Sequence, residues 1–108
     1  MSLIADSDLT VTPSPVSLSS TITFSALIQD PDVAKPTNAT VGLHLADSNE
    51  VTFADGTKSV TLTLPIGPTS VKVTFSRKLK GGAGLKAFKV TMKDAAGNVL
   101  VTAFPRIK

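Results

Sequence analysis

The sequence predicts an all-β domain: a sandwich of two antiparallel sheets with seven to nine short strands. Three observations predict it. Apolar residues recur with period two in nearly every segment, the mark of strands that bury one face and wet the other. Clusters of Gly, Pro, Asn and Asp break the chain at close intervals. No longer window carries a helical period, so short strands rather than strand–helix units account for the pattern.

The elements follow in order. Residues 9–12 and 16–18 flank Pro13-Ser14-Pro15, which reads as an edge strand broken in two and switching sheets, because proline cannot donate to a ladder. In residues 21–28, Ile22, Phe24, Ala26 and Ile28 alternate with Thr21, Thr23 and Ser25. Val41, Leu43 and Leu45 alternate with Thr40, Gly42 and His44; Val60, Leu62 and Leu64 alternate with Ser59, Thr61 and Thr63. Val71, Val73 and Phe75, then Phe88, Val90 and Met92, repeat the pattern with Lys72, Thr74, Lys89 and Thr91 between them. Residues 51–53 and 99–104 complete the set. Between Leu85, Ala87 and Phe88 the alternation slips by one residue, which reads as a β-bulge. Turns are expected at Asp30-Pro31-Asp32, Asp55-Gly56, Ile66-Gly67-Pro68, Gly81-Gly82-Ala83-Gly84 and Ala96-Gly97-Asn98.

A chain of 108 residues suits one domain that buries a core without staples. With 42% hydrophobic and 18% charged residues it is no candidate for disorder. Five Phe and no Trp, Tyr or Cys leave the core to Val, Leu, Ile, Ala and Phe, and exclude disulfide and thiolate chemistry. No apolar run approaches the roughly 20 residues of a membrane span. The first residues carry no basic and apolar signal-peptide pattern. Met1-Ser2-Leu3 reads as a vector-derived leader on an excised or mature domain spanning 1–108. Charge is unevenly distributed: residues 1–55 hold seven acidic residues and Lys35, a net −6, while 56–108 hold ten basic residues and Asp94, a net +9. A contrast of that size points to an anionic partner or to polar self-association, provided the fold does not mix the two halves.

The run Phe88-Lys89-Val90-Thr91-Met92-Lys93-Asp94-Ala95-Ala96-Gly97-Asn98-Val99 resembles the closing hairpin of bacterial immunoglobulin-like repeats. Residues 60–75, with Leu64-Pro65-Ile66-Gly67 between two strands, resemble the later hairpin of CARDB-type adhesion modules. Asp8-Leu9-Thr10-Val11 ahead of the Pro-rich step is similar to the start of such modules. The resemblance covers about half the chain. It implies an immunoglobulin-like sandwich at the cell surface or outside the cell. With no core Trp, cysteine pair or tyrosine corner, the chain departs from antibody-type domains.

Candidate sites are few. Arg77, Lys78, Lys80, Lys86, Lys89 and Lys93 are read as a basic stripe along one strand and the loop leading into it, suited to a polyanion. Because the Phe residues fall at core-phase positions, no stacking platform for nucleic acid is expected. Asp30 and Asp32 are the calcium candidates, since loop aspartates supply the oxygens calcium requires, although no EF-hand spacing accompanies them. One His and no Cys exclude a tetrahedral zinc site. His44 falls on the polar face of a strand with no nucleophile elbow, so no catalytic residue is expected there. The glycines after Lys80 lack the Lys-Ser/Thr ending of a phosphate loop and read as a hairpin tip. Asn38-Ala39-Thr40 matches a glycosylation acceptor.

The expected function is that of a non-catalytic module of a bacterial surface or secreted protein, serving as spacer, adhesion unit or carbohydrate-contacting accessory without a cofactor. Its partner is expected to be a protein or a polysaccharide. The alternative is a virion-associated domain, a phage decoration or tail component, docking through its basic face.

Overall fold

The computed structural model describes residues 2–46, 51–81 and 84–108. Among the described residues nine strands and no helix are found: β1 (Ile4–Ala5), β2 (Thr10–Thr12), β3 (Thr21–Gln29), β4 (Thr37–Leu45), β5 (Val51–Phe53), β6 (Ser59–Ile66), β7 (Val71–Gly81), β8 (Val90–Asp94) and β9 (Val99–Ala103). They form two antiparallel sheets. One runs β1-β3-β7-β5, with β2 continuing β1 along the same edge of β3; the other runs β6-β4-β8-β9. Counted along the chain, this is the A-B-E-D and C-F-G pairing of an immunoglobulin-type sandwich, with β6 added on the free side of β4.

Period-two alternation explains which side chains meet. β3 and β7 pair over eight residues, which sets Phe24 opposite Phe75 and Ala26 opposite Val73. β4 turns Ala39, Val41, Leu43 and Leu45 inward, and β8 adds Val90 and Met92. These rows, with Ile22, Ile28, Val51, Phe53 and Phe88, belong to one buried cluster drawn from both sheets. Each fully buried side chain of this size contributes about 1.5–3 kcal/mol of hydrophobic stabilisation. β7 continues to Gly81, beyond its apolar alternation, because β5 pairs with residues 79–81.

The Pro-rich step behaves as its chemistry dictates. β2 ends at Thr12 on the five-stranded sheet; after Pro13-Ser14-Pro15, with cis bonds before both prolines, Val16 pairs in parallel with Ile107. The Val16 N–H donates to Arg106 O and the Lys108 N–H donates to Val16 O. Residues 106–107 in turn pair with 86–87, in line with the β8–β9 ladder, so the first strand switches sheets and closes one seam. Ser2 and Leu3 belong to the fold. The Ser2 N–H donates to Asp30 Oδ1 at 3.2 Å, and Leu3 packs against the core.

Two details differ from expectation. No bulge lies at residues 85–88. Ile107 N–H to Lys86 O, the Ala87–Arg106 bridge and the Phe88 N–H to Pro105 O bond keep the register of β8 and β9. The strand breaks off there because Pro105 has no N–H to return. The register shift falls instead between Met92 and Lys93, which face Val101 and Val99, so Leu100 is the extra residue. In β6, Val60, Leu62 and Leu64 share the inward face with Leu43, Val41 and Ala39, yet Leu62 remains 37% exposed. That row lies at the sheet margin, where the opposite sheet does not cover it.

The eleven residues of β7 extend about 36 Å at ~3.3 Å per residue. Of the molecule's 47 × 22 × 18 Å extents, only the long axis accommodates that length, so the strands run along it. The chain begins at one pole, beside Asp30, and ends at the other, beside Val16 and Lys86.

The glycines separate steric from conformational constraint. A Cβ on buried Gly67 would meet Pro36 N at 2.9 Å and Pro36 Cα at 3.0 Å, whereas one on Gly42 meets nothing closer than 3.7 Å. Gly67→Ala is expected to lose roughly 1–3 kcal/mol through overpacking against fixed backbone. Gly42→Ala, on the outer face of β4, is expected to be neutral or slightly stabilising. Urea unfolding midpoints check this; equal midpoints for the two variants would refute the steric reading.

A basic pole as the candidate binding site

Antiparallel pairing decides where the charges go. Lys78 lies opposite Thr21 at the start of β3, Arg77 opposite Ile22, and Lys80 opposite Thr52 of β5. Lys58 O accepts the Leu45 N–H at the far end of β4, and Lys58 Nζ donates to Ala46 O at 3.2 Å. Lys89 O accepts the Ala46 N–H, and Lys86 O accepts the Ile107 N–H. The Val16 crossing holds Arg106 and Lys108 beside them. Eight of the eleven cations therefore gather at the pole where the chain ends. The Arg77 guanidinium is held there over the Phe75 ring, 5.9 Å from its centroid, while its Nη1 donates to Ser76 O.

Among the described residues, Asp55 is the one acidic side chain at that pole. Its Oδ1 accepts the Thr57 hydroxyl at 2.7 Å and the Thr57 N–H at 3.0 Å. The Thr57 hydroxyl bond, then the Thr57 N–H, with a smaller attraction from Lys80, holds its pKa below the usual carboxylate range. Asp47 and Glu50, and Gly82 and Ala83 of the predicted hairpin tip, lie outside the described residues.

The six residues expected to form a stripe do not share one face. Arg77, Lys78 and Lys80 lie on β7 of the five-stranded sheet; Lys86, Lys89 and Lys93 lie on or before β8 of the other. Five of the six nevertheless meet at the basic pole. Lys93 does not: it stands beside Gly42, midway along β4. Missing from the expected set are Lys58, Arg106 and Lys108. Their residue types were legible, but their proximity depends on the β4–β6 register and on the Val16 crossing.

The opposite pole carries Asp6, Asp8, Asp30 and Asp32 against Lys35 and Lys72. Asp6 ties three elements together. Its carboxylate accepts the Gln29 side-chain amide at 2.6 and 2.7 Å and the Ser70 hydroxyl, and these bonds, Ser70 first, lower its pKa. Asp30 is fully buried. Its Oδ1 accepts the Asp32 N–H at 3.0 Å, an Asx turn, while Oδ2 has no protein partner. Asp32 is exposed, and among the described residues no group of three His, Cys, Asp or Glu could hold a metal ion. His44 stands half-buried on the outer face between Ser59 and Thr91.

Where β1 gives way to β2, the Ser7 hydroxyl takes over the ladder and accepts the Leu27 N–H at 2.8 Å. The break leaves a cleft of about 360 Å³ lined by Ser7, Thr10, Ser25, Ala26, Leu27 and Lys72. Its hydroxyls and single cation make it polar at the rim and apolar at Leu27.

The Asp94–Asn98 turn closes the β8–β9 hairpin. Asp94 Oδ1 accepts the Ala96 and Asn98 N–H groups, Oδ2 accepts Asn98 Nδ2, and Gly97 takes the φ of 89° that the reversal requires. Burial opposes ionisation of Asp94, but the Asn98 side chain and the N–H groups of Asn98, Ala96 and Gly97 together outweigh it and lower its pKa.

A scan against models of known protein families finds no match, and a search of curated proteins finds no relative. What fold and surface define is a class: a two-sheet antiparallel sandwich with its cations gathered at one pole. Among the described residues no helix is long and apolar enough to cross a membrane.

Acid titration follows from the three lowered aspartates. Each favours the folded state while ionised, fully so above the ordinary value near 4, and that contribution is lost as pH falls through the depressed folded value. Stability is therefore expected to hold from neutrality to about pH 5 and to fall below about pH 4. Asp94→Asn retains part of the turn but not the titration, so its stability is expected to fall less steeply over that acid range. Denaturant midpoints measured against pH check this; parallel curves for the two proteins would remove Asp94 from the acid response.

Proposed function

We infer that the chain is a non-catalytic immunoglobulin-like module of a bacterial surface or secreted protein, docking an anionic partner through its basic pole. The observation that carries this reading is the polarity of the molecule: eight basic side chains and one described acidic side chain at the pole where Arg106 and Lys108 lie. Cations crowded on converging loops raise the local potential, attract polyanions and speed encounter. The Asp94–Asn98 turn and the hairpin around Leu64-Pro65-Ile66-Gly67 support the surface-module assignment by their resemblance to such repeats.

The preferred partner is an acidic polysaccharide. Four of the five Phe, Phe24, Phe53, Phe75 and Phe88, take the expected core positions, but Phe104, just past β9, is 69% exposed because it lies beyond the paired strand. With no Trp or Tyr, recognition rests on charge and hydroxyl contacts together with this single open ring. The same pole also suits the virion alternative, docking on an acidic capsid surface.

Retention on a sulfated or uronate polysaccharide resin tests the reading. At low salt the protein is expected to be retained, with affinity falling steeply between ~50 and ~200 mM salt, as screening of many charge contacts requires. The triple variant Lys80→Glu, Lys86→Glu, Lys108→Glu is expected to flow through. Lys35→Glu at the opposite pole is expected to behave as wild type. Flow-through of the wild type at low salt, or equal losses in both variants, would refute the assignment. Retention on intact virus particles but not on polysaccharide would favour the virion reading.

A further inference from the structure

The four sheet margins are defended unequally. The β1/β2 margin is broken by the Ser7 step and the prolines. The β7 margin carries Lys72, Arg77 and Lys78 and is shortened by β5. The β9 margin is only five residues long, is interrupted by the register shift at Leu100, and gives way beyond the strand to the Val16–Ile107 bridge. Strand β6 has eight residues, none charged, and pairs only with β4 among the described residues. Open strands of that kind are templates for another strand.

Which of its backbone groups are open follows from one hydrogen bond. The Leu45 N–H donates to Lys58 O at 2.7 Å, and in an antiparallel ladder bonded residues alternate. Residues 60, 62, 64 and 66 therefore turn their main chain to β4. Ser59, Thr61, Thr63 and Pro65 turn theirs to the open side. Pro65, which lacks an N–H, thus sits where none is needed for the fold.

We propose that β6 is a self-pairing surface, joining two copies of this chain antiparallel across a two-fold axis at Leu62. In that register Thr61 faces Thr63 of the second copy and exchanges both main-chain bonds with it, and Thr63 does the same with Thr61. Ser59 N–H donates to Pro65 O, and the missing proline N–H removes one return bond on each side. Val60 meets Leu64, and Leu62 meets Leu62, in the closely spaced non-bonded position on the axis. That contact covers the side chain the monomer leaves 37% exposed. A register moved by one residue would set apolar against hydroxyl faces. Charge agrees: antiparallel strands reverse the long axes, so the basic pole of each copy lies beside the aspartate-bearing pole of the other. The partner surface is thus the same patch on both copies, as a closed two-fold contact requires.

Sedimentation velocity on the intact chain tests this. Strand-edge contacts are small, so apparent mass is expected to rise toward double only between about 10 µM and about 1 mM. Leu62→Lys and Leu62→Glu are each expected to remain monomeric, because like charges meet on the axis, and an equimolar mixture is expected to recover the dimer. Thr63→Pro removes an outward N–H and the Thr40–Thr63 hydroxyl bond but no main-chain bond to β4, and is expected to abolish dimerisation while keeping the wild-type circular dichroism spectrum. Phe104→Ser, on the β9 side, is expected to dimerise as wild type. A wild type that stays monomeric at ~1 mM, or either Leu62 variant still dimerising, overturns the proposal, as does a mixture that stays monomeric.

Discussion

Everything in this molecule rests on the β3–β7 ladder. Eight consecutive pairs put Phe24 against Phe75 and leave Ile22, Ala26, Ile28 and Val73 on the same inward face. With no Trp or Cys to anchor a core, that face supplies two of the three buried Phe side chains of the five-stranded sheet, the third being Phe53 of β5. Ala39, Val41, Leu43 and Leu45 of β4 close over it from the other sheet. The ladder also fixes which end of β7 is which. Lys72 is level with Leu27 near the start of the chain, and Lys78 is level with Thr21 near its end. The packing that stabilises the domain and the charge distribution that gives it a basic pole thus have one origin.

The outer faces continue the argument. Hydroxyls pair across strands at Thr40–Thr63, Thr23–Ser76 and Thr91–Thr102, so both sheets are wet on one side, with Lys93 the charge that stands midway along β4. Most other cations lie toward strand ends and connections, where Lys and Arg stems cost little burial. Charge then defends one margin, at Lys72, Arg77 and Lys78, and leaves β6 with only Pro65 as a partial block. A proline on the outward side removes one donor per strand, which restricts the pairing to registers that do not need it.

Much of this was legible in the sequence. The period of two marked the inward sets of β3, β4 and β8, and residues 51–53 were marked to the residue as β5. Pro13 and Pro15 announced the sheet switch because proline cannot continue a ladder on both sides. Other features were not legible, for reasons of register. Alternation tells which face a residue takes, not how far along the axis it lies, so Lys58, Arg106 and Lys108 could not be placed beside Lys80 and Lys86. The apolar row of β6 read as core because alternation cannot distinguish a central from a marginal strand. The slip at Leu85–Ala87–Phe88 misled in the same way. A change of face need not be a change of register when the partner strand, at Pro105, simply lacks a donor.

The two surfaces have a joint consequence. A dimer paired through β6 points its basic poles in opposite directions along the common axis, separated by roughly the length of a molecule. Each pole remains open, because the pairing spans Ser59 to Pro65 and leaves the connections beyond Lys58 outside it. Such a dimer is bivalent toward an anionic partner. If both poles engage one extended polyanion, the second contact forms at the effective concentration set by the first, so two weak contacts act as one stronger one. If the spacing on the partner does not match, the dimer bridges two partners instead. The avidity of the wild type over the Leu62→Lys variant, measured at equal pole concentration, distinguishes a dimer that clamps one chain from one that links two. The first raises soluble affinity, and the second raises scattering.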